Sequence, residues 1–210
     1  MQLFNKNIKI HRGETFSLQF NIRTEDGAPY IISSEFNNPY FLLSISDSIH
    51  FEPDRYVKNY WLSLNNIPRF ELTRPLELSS IKNGVGNSTP KYNSFVELKN
   101  DFVDFGKITG YLNNELVEIS QGYCIFYSQS EGYKYWNGDD LVDYSLTFVK
   151  TFTKDDTIEL VSQNYYYDLL LVSAIHSESS DGELLISVDT SYPLLSNGKI
   201  QVVNYVTGGF

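Results

Sequence analysis

Apolar and polar residues alternate in two stretches near the start of the chain. Every second residue is apolar from position 16 to position 22, and again from position 41 to position 45. Successive side chains of a strand point to opposite faces of a sheet, so this period of two places the apolar groups on one face. The sequence Glu-Asp-Gly-Ala-Pro at 25–29 ends the first stretch, because Asp-Gly readily forms a turn and proline has no N–H group for a sheet. The pattern predicts two core strands, at residues 16–22 and 40–46.

The alternation is lost between residues 47 and 143. Four prolines interrupt this region, and the polar run at 83–90 is typical of an exposed loop. Two Asn residues at 113 and 114 separate apolar alternations and predict a hairpin turn, because Asn tolerates the left-handed conformation. We interpret 47–143 as a long, irregular insertion. Its expected elements are short strands at 123–127 and 132–136 and short helical turns at 74–80 and 94–101.

Regular alternation returns at Tyr144. Short strands separated by turn residues are typical of a β-sandwich rather than of alternating strands and helices. The sequence therefore predicts an all-β chain in which residues 1–210 form a single antiparallel sandwich, with its core from 1–46 and 144–210. The strands expected in the last third are 144–152, 157–161, 165–172, 183–188 and 198–203, with turns at Pro193 and 196–198.

Charge and composition limit the classes of partner. The 210 residues carry 16 Lys and Arg against 26 Asp and Glu, a formal net charge of −10. Nucleic acid is not an expected partner, because phosphate backbones are bound by Lys and Arg. No apolar run approaches the roughly 18 residues of a membrane span, and the first ten residues lack a signal-peptide pattern, so we expect a soluble protein made in a cytoplasm. The single cysteine, Cys124, has apolar neighbours that predict a buried, inert thiol.

No group of residues predicts catalysis or a metal centre. The three histidines, at 11, 50 and 176, lack metal-ligand spacing. The carboxylates at 139, 140 and 143 lack the spacing of a calcium loop, so an exposed acidic turn is expected there. No nucleophile motif or phosphate-binding Gly loop occurs, and no pair of carboxylates stands out for glycoside hydrolysis. We expect neither enzyme activity nor a cofactor.

Aromatic residues are the candidate interaction residues. Tyr133, Tyr135 and Trp136 would form a patch in the insertion, and Tyr166 faces outward if Tyr167 faces the core. Exposed Tyr and Trp are enriched at interfaces, whereas the same residues also fit an aromatic core; both interpretations stay open. At the C-terminus, Phe210 follows two glycines and either frays or inserts into a partner.

Two separated parts of the chain resemble a domain of tailed-phage virion proteins. The first part is Gly-Glu-Thr-Phe-Ser-Leu-Gln-Phe at 13–20 with the turn at 25–29, and the second is Tyr-Asp-Leu-Leu-Leu-Val at 167–172, Asp-Gly at 181–182, Gly-Lys-Ile-Gln-Val at 198–202 and Val-Thr at 206–207. In this order they are similar to the N-terminal domain of siphophage upper baseplate proteins and to related phage structural domains. The resemblance covers residues 1–46 and 144–210. It implies an immunoglobulin-like sandwich that docks a component onto a virion scaffold, without catalytic residues.

The expected function is therefore that of a non-enzymatic bacteriophage virion protein. It would be a docking module of the tail, baseplate or head-to-tail region, present in several symmetric copies and bound to other virion structural proteins. Two alternatives stay open. One is a capsid decoration or head-fibre protein, and the other is a carbohydrate-binding host-attachment module that stacks aromatic side chains on a glycan.

Overall fold

The chain is mostly β, as the alternation of its sequence predicts. A computed structural model describes residues 7–48, 56–65, 67, 74–84, 86–105, 107–112, 115–120 and 123–204. The elements in chain order are β1 (Asn7–His11), β2 (Phe16–Ile22), β3 (Pro39–Ser46), β4 (Tyr56–Ser63), β5 (Leu76–Glu77), a 3-10 helix (Leu78–Ser80), α1 (Phe95–Phe105), β6 (Lys107–Leu112), β7 (Glu115–Ser120), β8 (Ile125–Ser128), β9 (Gly132–Trp136), β10 (Leu141–Asp143), β11 (Leu146–Phe152), α2 (Lys154–Ile158), β12 (Asn164–Glu178) and β13 (Leu184–Val203). Neither α-helix in the described part of the chain is long and apolar enough to cross a membrane.

The chain divides into two compact units, where the sequence predicts one domain. Unit 1 consists of Met1–Ala28, Phe36–Asn66 and Leu146–Phe210, and unit 2 consists of Pro29–Glu35 and Ile67–Ser145. Unit 2 therefore contains most of the region that we interpret as an insertion. Its buried residues form a hydrophobic cluster of their own, so the central third of the chain has its own core.

A five-stranded sheet joins the two ends of the chain in unit 1. Its strand order is β1-β13-β12-β3-β4, with β1 parallel to β13 and the other pairs antiparallel. Residues 166–173 of β12 pair with residues 39–46 of β3, so a strand from the last third lies beside a strand from the first third. Residues Asn7–His11 form the strand at one edge of this sheet.

Strands β2 and β11 form a two-stranded ribbon that completes the core of unit 1. They pair antiparallel along their whole length, from Phe16 opposite Phe152 to Ile22 opposite Leu146. Every second residue of β2 from position 18 to position 22 is buried, as the alternation predicts. Aromatic rings connect the ribbon to the five-stranded sheet, because Phe20 lies 6.0 Å from Tyr167 and Phe148 lies 5.7 Å from Phe41, measured between ring centroids.

Unit 2 is organised around helix α1 and a four-stranded sheet of order β10-β9-β8-β5. Phe95, Leu98 and Phe102 are buried on one face of α1, at the spacing of successive helical turns. The Phe102 ring stacks on Trp136 of β9 at 4.5 Å between centroids. Strands β6 and β7 form a separate hairpin, and the two Asn residues predicted to form its turn lie outside the described residues.

One predicted strand and the turns predicted at Pro193 and 196–198 are wrong. Residues 157–161, expected as a strand, include the end of helix α2, because Thr153 and Asp156 form a capping box that starts a helix at Lys154. The predicted strands at 183–188 and 198–203 belong to one strand, β13. Pro193 and the Ser-Asn-Gly sequence at 196–198 lie within this strand, at or beside its register shifts with β12, rather than in turns that end it.

Candidate interaction surface

The hairpin formed by β12 and β13 extends beyond the rest of its sheet. Pairing between β12 and β3 ends at Ser173 opposite Pro39, whereas pairing between β12 and β13 continues for residues 174–178 with 184–188. At about 3.3 Å per residue, this extension is roughly 16 Å long. We call residues 174–188 the arm. Within the described part of the chain, no third strand pairs with either strand of the arm.

The root of the arm is held by the segment that leads into β3. The amide nitrogen of Ala174 donates to the carbonyl oxygens of Asn37 and Asn38, each at 3.2 Å. The Asn38 side chain donates back to the Ala174 carbonyl at 3.4 Å, and the Tyr40 hydroxyl lies 3.0 Å from Nε2 of His176. These contacts fix the direction in which the arm leaves the sheet.

The tip of the arm is a turn whose polar backbone groups are satisfied locally. The Ser179 amide donates to the Glu183 carbonyl at 2.9 Å, and the Gly182 amide donates to the Ser179 carbonyl at 3.0 Å. The Ser179 hydroxyl accepts hydrogen bonds from the amides of Asp181 and Glu183. Gly182 has a φ of 79°, which a glycine adopts without the steric cost that a side chain brings. The arm therefore has a defined end.

Apolar side chains are exposed on both faces of the arm. Leu184 and Val188 share one face and are 60% and 43% exposed, and Ile175 and Leu185 share the other face and are 51% and 49% exposed. Apolar side chains of this size usually face a core or a partner when they are clustered. The arm also carries carboxylates at 178, 181 and 183 and contains no Lys or Arg. It is thus an acidic strand pair with an apolar surface.

The sequence gives a weak signal for this surface. Residues 184–186 are three consecutive apolar residues that follow a Ser-rich acidic turn, whereas a strand with one solvated face normally alternates. The sequence predicts a strand at 183–188 but not the exposure of Leu184, Leu185 and Val188, because exposure depends on where the neighbouring strand β3 ends.

The aromatic residues expected to form a patch lie on opposite faces of β9. Tyr133 and Tyr135 are half-buried, and their rings contact Tyr127 and Tyr144, respectively. Trp136 points the other way and is 2% exposed, packed on Phe102. Trp136 therefore offers no face to a ligand, which corrects its expected role in glycan stacking. Its burial follows from the two-residue period of the strand.

The other candidate interaction residues belong to unit 1. Tyr166 of β12 is half-buried and points away from the fully buried Tyr167, as the alternation predicts. Phe210 lies outside the described residues. The aromatic candidates are therefore not one patch but two partly exposed residues on β9 and one on β12.

Two carboxylates of the acidic turn, Asp140 and Asp143, form ion pairs with lysines. The Asp140 carboxylate lies 2.7 Å from Nζ of Lys99, and this contact lowers the pKa of the Asp140 carboxyl group. The Asp143 carboxylate binds Lys134. Among the described residues, no group of three or more His, Cys, Asp or Glu side chains is placed to hold a metal ion. Cys124 is half-buried, and burial raises the pKa of its thiol to about 11, which disfavours the reactive thiolate.

These features define a mostly β protein of two units with a projecting acidic arm. Comparisons of the chain with protein-family models, with curated proteins and with solved structures found no match.

Proposed function

We propose that this chain is a non-enzymatic structural protein of a bacteriophage virion that acts as a docking module in the tail, the baseplate or the head-to-tail region. The arm is the observation that carries the proposal. Exposed strand edges offer hydrogen-bonding groups to another chain, and a cluster of exposed apolar side chains offers anchors for a protein interface. The arm combines both on a support that is fixed at its root.

The organisation of unit 1 supports the same proposal. Apart from Pro29, the residues that carry the resemblance to phage structural domains belong to unit 1. We infer that unit 1 is an immunoglobulin-like sandwich in which the ribbon of β2 and β11 covers the five-stranded sheet. The ring contacts of Phe20 with Tyr167 and of Phe41 with Phe148 support this arrangement, because they join the two layers.

The charge of the arm indicates what kind of partner it fits. The arm has three carboxylates and no Lys or Arg, and the whole chain has a formal net charge of −10. Contact between the arms of two copies would bring like charges together at an interface that desolvates them. We propose instead that each arm binds a different virion protein, at an apolar surface bordered by Lys or Arg. Several symmetric copies would then assemble around that partner.

Substitution in the arm tests the proposal on phage particles. We expect the protein to be present in intact particles, and Leu184→Ser/Leu185→Ser to reduce its incorporation at least tenfold, because the variant removes two apolar anchors. The measurement is quantitative mass spectrometry of purified particles grown with each variant supplied. A cryo-electron microscopy map of the wild-type particle should show the arm against a basic surface of another protein.

A matched control replaces exposed apolar residues outside the arm. Val96 and Leu116 are 65% and 59% exposed, so Val96→Ser/Leu116→Ser makes the same chemical change elsewhere and should leave incorporation unchanged. Absence of the protein from intact particles would refute the virion role. Equal incorporation of the two double variants would refute the role of the arm.

A further inference from the structure

A cleft of about 620 Å³ opens on unit 2 and has no role in the proposed function. Three segments line it: Glu77 with the start of the 3-10 helix, Pro90 with Tyr92 and Asn93 ahead of α1, and residues 127–130 at the end of β8. A volume of this size is within the range of about 300–1,000 Å³ that is common for small-molecule sites. Unit 2 alone supplies every one of these segments.

Backbone contacts fix the three segments in place. Glu77 of β5 pairs in parallel with Tyr127 of β8, which sets these two side chains side by side. Residues 90–93 are held because the Lys91 amide donates to the Ile81 carbonyl at 2.8 Å and the Asn93 amide donates to the Glu97 carboxylate at 2.7 Å. In the turn after β8, the Ser128 hydroxyl accepts a hydrogen bond from the Glu131 amide at 3.3 Å. The cleft is therefore preformed.

The polar groups of the cleft are suited to a neutral ligand. Its lining has amide side chains, hydroxyl groups and the carboxylate of Glu77, and among the described residues no Lys, Arg or His lines it. The two lysines nearest in sequence already have polar partners, since Lys82 donates to the carbonyl of the lining residue Ser79 and Lys91 binds Asp101 at 3.0 Å. A phosphate or carboxylate ligand would meet no Lys, Arg or His among the described lining residues and would face the Glu77 carboxylate. A purely apolar ligand would leave the amides without partners.

An aromatic ring supplies the apolar part of the site. Tyr127 is half-buried at the cleft, and its ring is held by Tyr133, whose centroid lies 4.9 Å away. Tyr92 forms a buried wall of the same cleft and is 4% exposed. A flat apolar face beside hydroxyl and amide groups matches a sugar ring, which has C–H groups on its faces and hydroxyl groups around its edge.

We propose that this cleft binds a neutral saccharide. Tyr127 is the stacking surface, and Glu77, Asn93 and Gln129 hydrogen-bond the sugar hydroxyl groups. Tyr133 is a positioning residue because it contacts the Tyr127 ring. The site differs from the aromatic patch expected from the sequence, since neither Tyr135 nor Trp136 lines it.

Glycan binding by the purified protein tests this site. The probe is an array of neutral and anionic oligosaccharides, followed by calorimetric titration of the strongest neutral binder. We expect wild-type protein to bind a neutral glycan, Tyr127→Ala to weaken binding at least tenfold, and Gln129→Ala to weaken it about three- to tenfold through loss of a hydrogen bond. Tyr127→Phe keeps the ring and should bind within about threefold of wild type.

Tyr123→Ala is the matched control, because Tyr123 is 60% exposed in the same unit and does not line the cleft. It should bind like wild type. If Tyr127→Ala fails to fold, as judged by its melting temperature, the exposed Gln129 and Asn93 carry the test through their Ala variants. The proposal is overturned if no neutral glycan binds, if anionic glycans bind more tightly, or if the Gln129 and Asn93 variants bind like wild type. None of these outcomes depends on whether the protein is part of a virion.

Discussion

At the scale of single residues, one glycine sets the packing at the centre of unit 1. Gly198 of β13 lies opposite Tyr167 of β12, and a Cβ atom at position 198 would overlap the Tyr167 ring. Tyr167 is fully buried, and burial raises the pKa of its hydroxyl to about 12. The sequence predicts that both residues lie in strands. It does not predict their contact, because the register between two strands is not encoded by the alternation within either one.

Gly198→Ala is therefore expected to destabilise the protein by about 2 kcal/mol, since overpacking of a filled core typically costs about 1–3 kcal/mol. The measurement is the free energy of unfolding from urea titration. Ser187→Ala, at an exposed position of the same strand, is the control and should change it by less than about 0.5 kcal/mol.

A double variant shows whether the ring is the cause. In a Tyr167→Leu background, the cost of Gly198→Ala should fall by at least half, because the smaller side chain leaves room for the new methyl group. An unchanged cost in that background would mean that the glycine is required for another reason.

Among the strands and helices, β13 shows why the turns predicted at Pro193 and 196–198 are wrong. Between Tyr167 opposite Gly198 and Leu169 opposite Leu195, β13 has two residues, Ser196 and Asn197, against one residue of β12, Asp168. Asn197 has a φ of 58°, and its amide donates to the Asp168 carboxylate at 2.7 Å instead of to the sheet. The Asn-Gly sequence thus forms a bulge within a strand. Local sequence cannot separate this case from a hairpin turn, because both need the left-handed conformation.

Asp168 allows a test of this bulge, because its buried carboxylate accepts the hydrogen bond from the Asn197 amide. Burial raises the pKa of its carboxyl group, although the hydrogen bond from Asn197 acts in the opposite direction. A raised folded-state pKa means that the folded protein holds the proton more tightly, so the contribution of Asp168 to stability falls as pH rises through the unfolded-state and then the folded-state pKa. Asp168→Asn keeps an acceptor and removes the charge. It should therefore gain stability relative to wild type between pH 3.5 and pH 7, measured by urea unfolding at each pH.

Asp168→Ala is the matched variant without an acceptor. It leaves the Asn197 amide without its partner and should cost about 1–3 kcal/mol at pH 7. If Asp168→Asn follows the wild-type pH dependence without change, the carboxylate does not titrate with the shift that its burial implies.

Several other elements agree with the sequence. The strand at 16–22 was predictable because one of its faces packs on the core. The strand at 40–46 is also present, although all eight residues of β3 are buried and the alternation predicts burial of one face only. Helix α1 overlaps the helical turn expected at 94–101. Helix α2 was missed although its signal was present, since Thr153 and Asp156 have the spacing of a capping box. Neither the arm nor the cleft could be predicted, because each depends on which strands end early or lie side by side.

For the chain as a whole, net charge opposes self-association, whereas exposed apolar surface favours it. The chain has a formal net charge of −10 at pH 7 and a sequence pI near 4.7. Net repulsion keeps copies apart at neutral pH, and this repulsion disappears near the pI while the apolar arm remains exposed.

We therefore expect reversible self-association near pH 4.7 and none at pH 7.5, measured by light scattering at matched ionic strength. Leu184→Ser/Leu185→Ser should reduce the association at pH 4.7, and Val96→Ser/Leu116→Ser should reduce it less. Equal scattering by wild type at both pH values, or equal behaviour of the two variants, would contradict this expectation.

The two units alternate along the sequence, and this order affects how the chain folds during synthesis on the ribosome. Asn21 of β2 meets Thr147 of β11 across 126 positions of sequence, and β3 meets β12 at a similar distance. At about 5–20 residues per second, the first two core strands wait roughly 6–25 seconds for their neighbours to be translated. Unit 2 is completed during that interval, so among the described strands β2 has no partner strand and β3 has only β4 as a partner until the last third of the chain emerges. The need for chaperones should therefore depend on the order in which the paired strands are translated rather than on the stability of the folded protein.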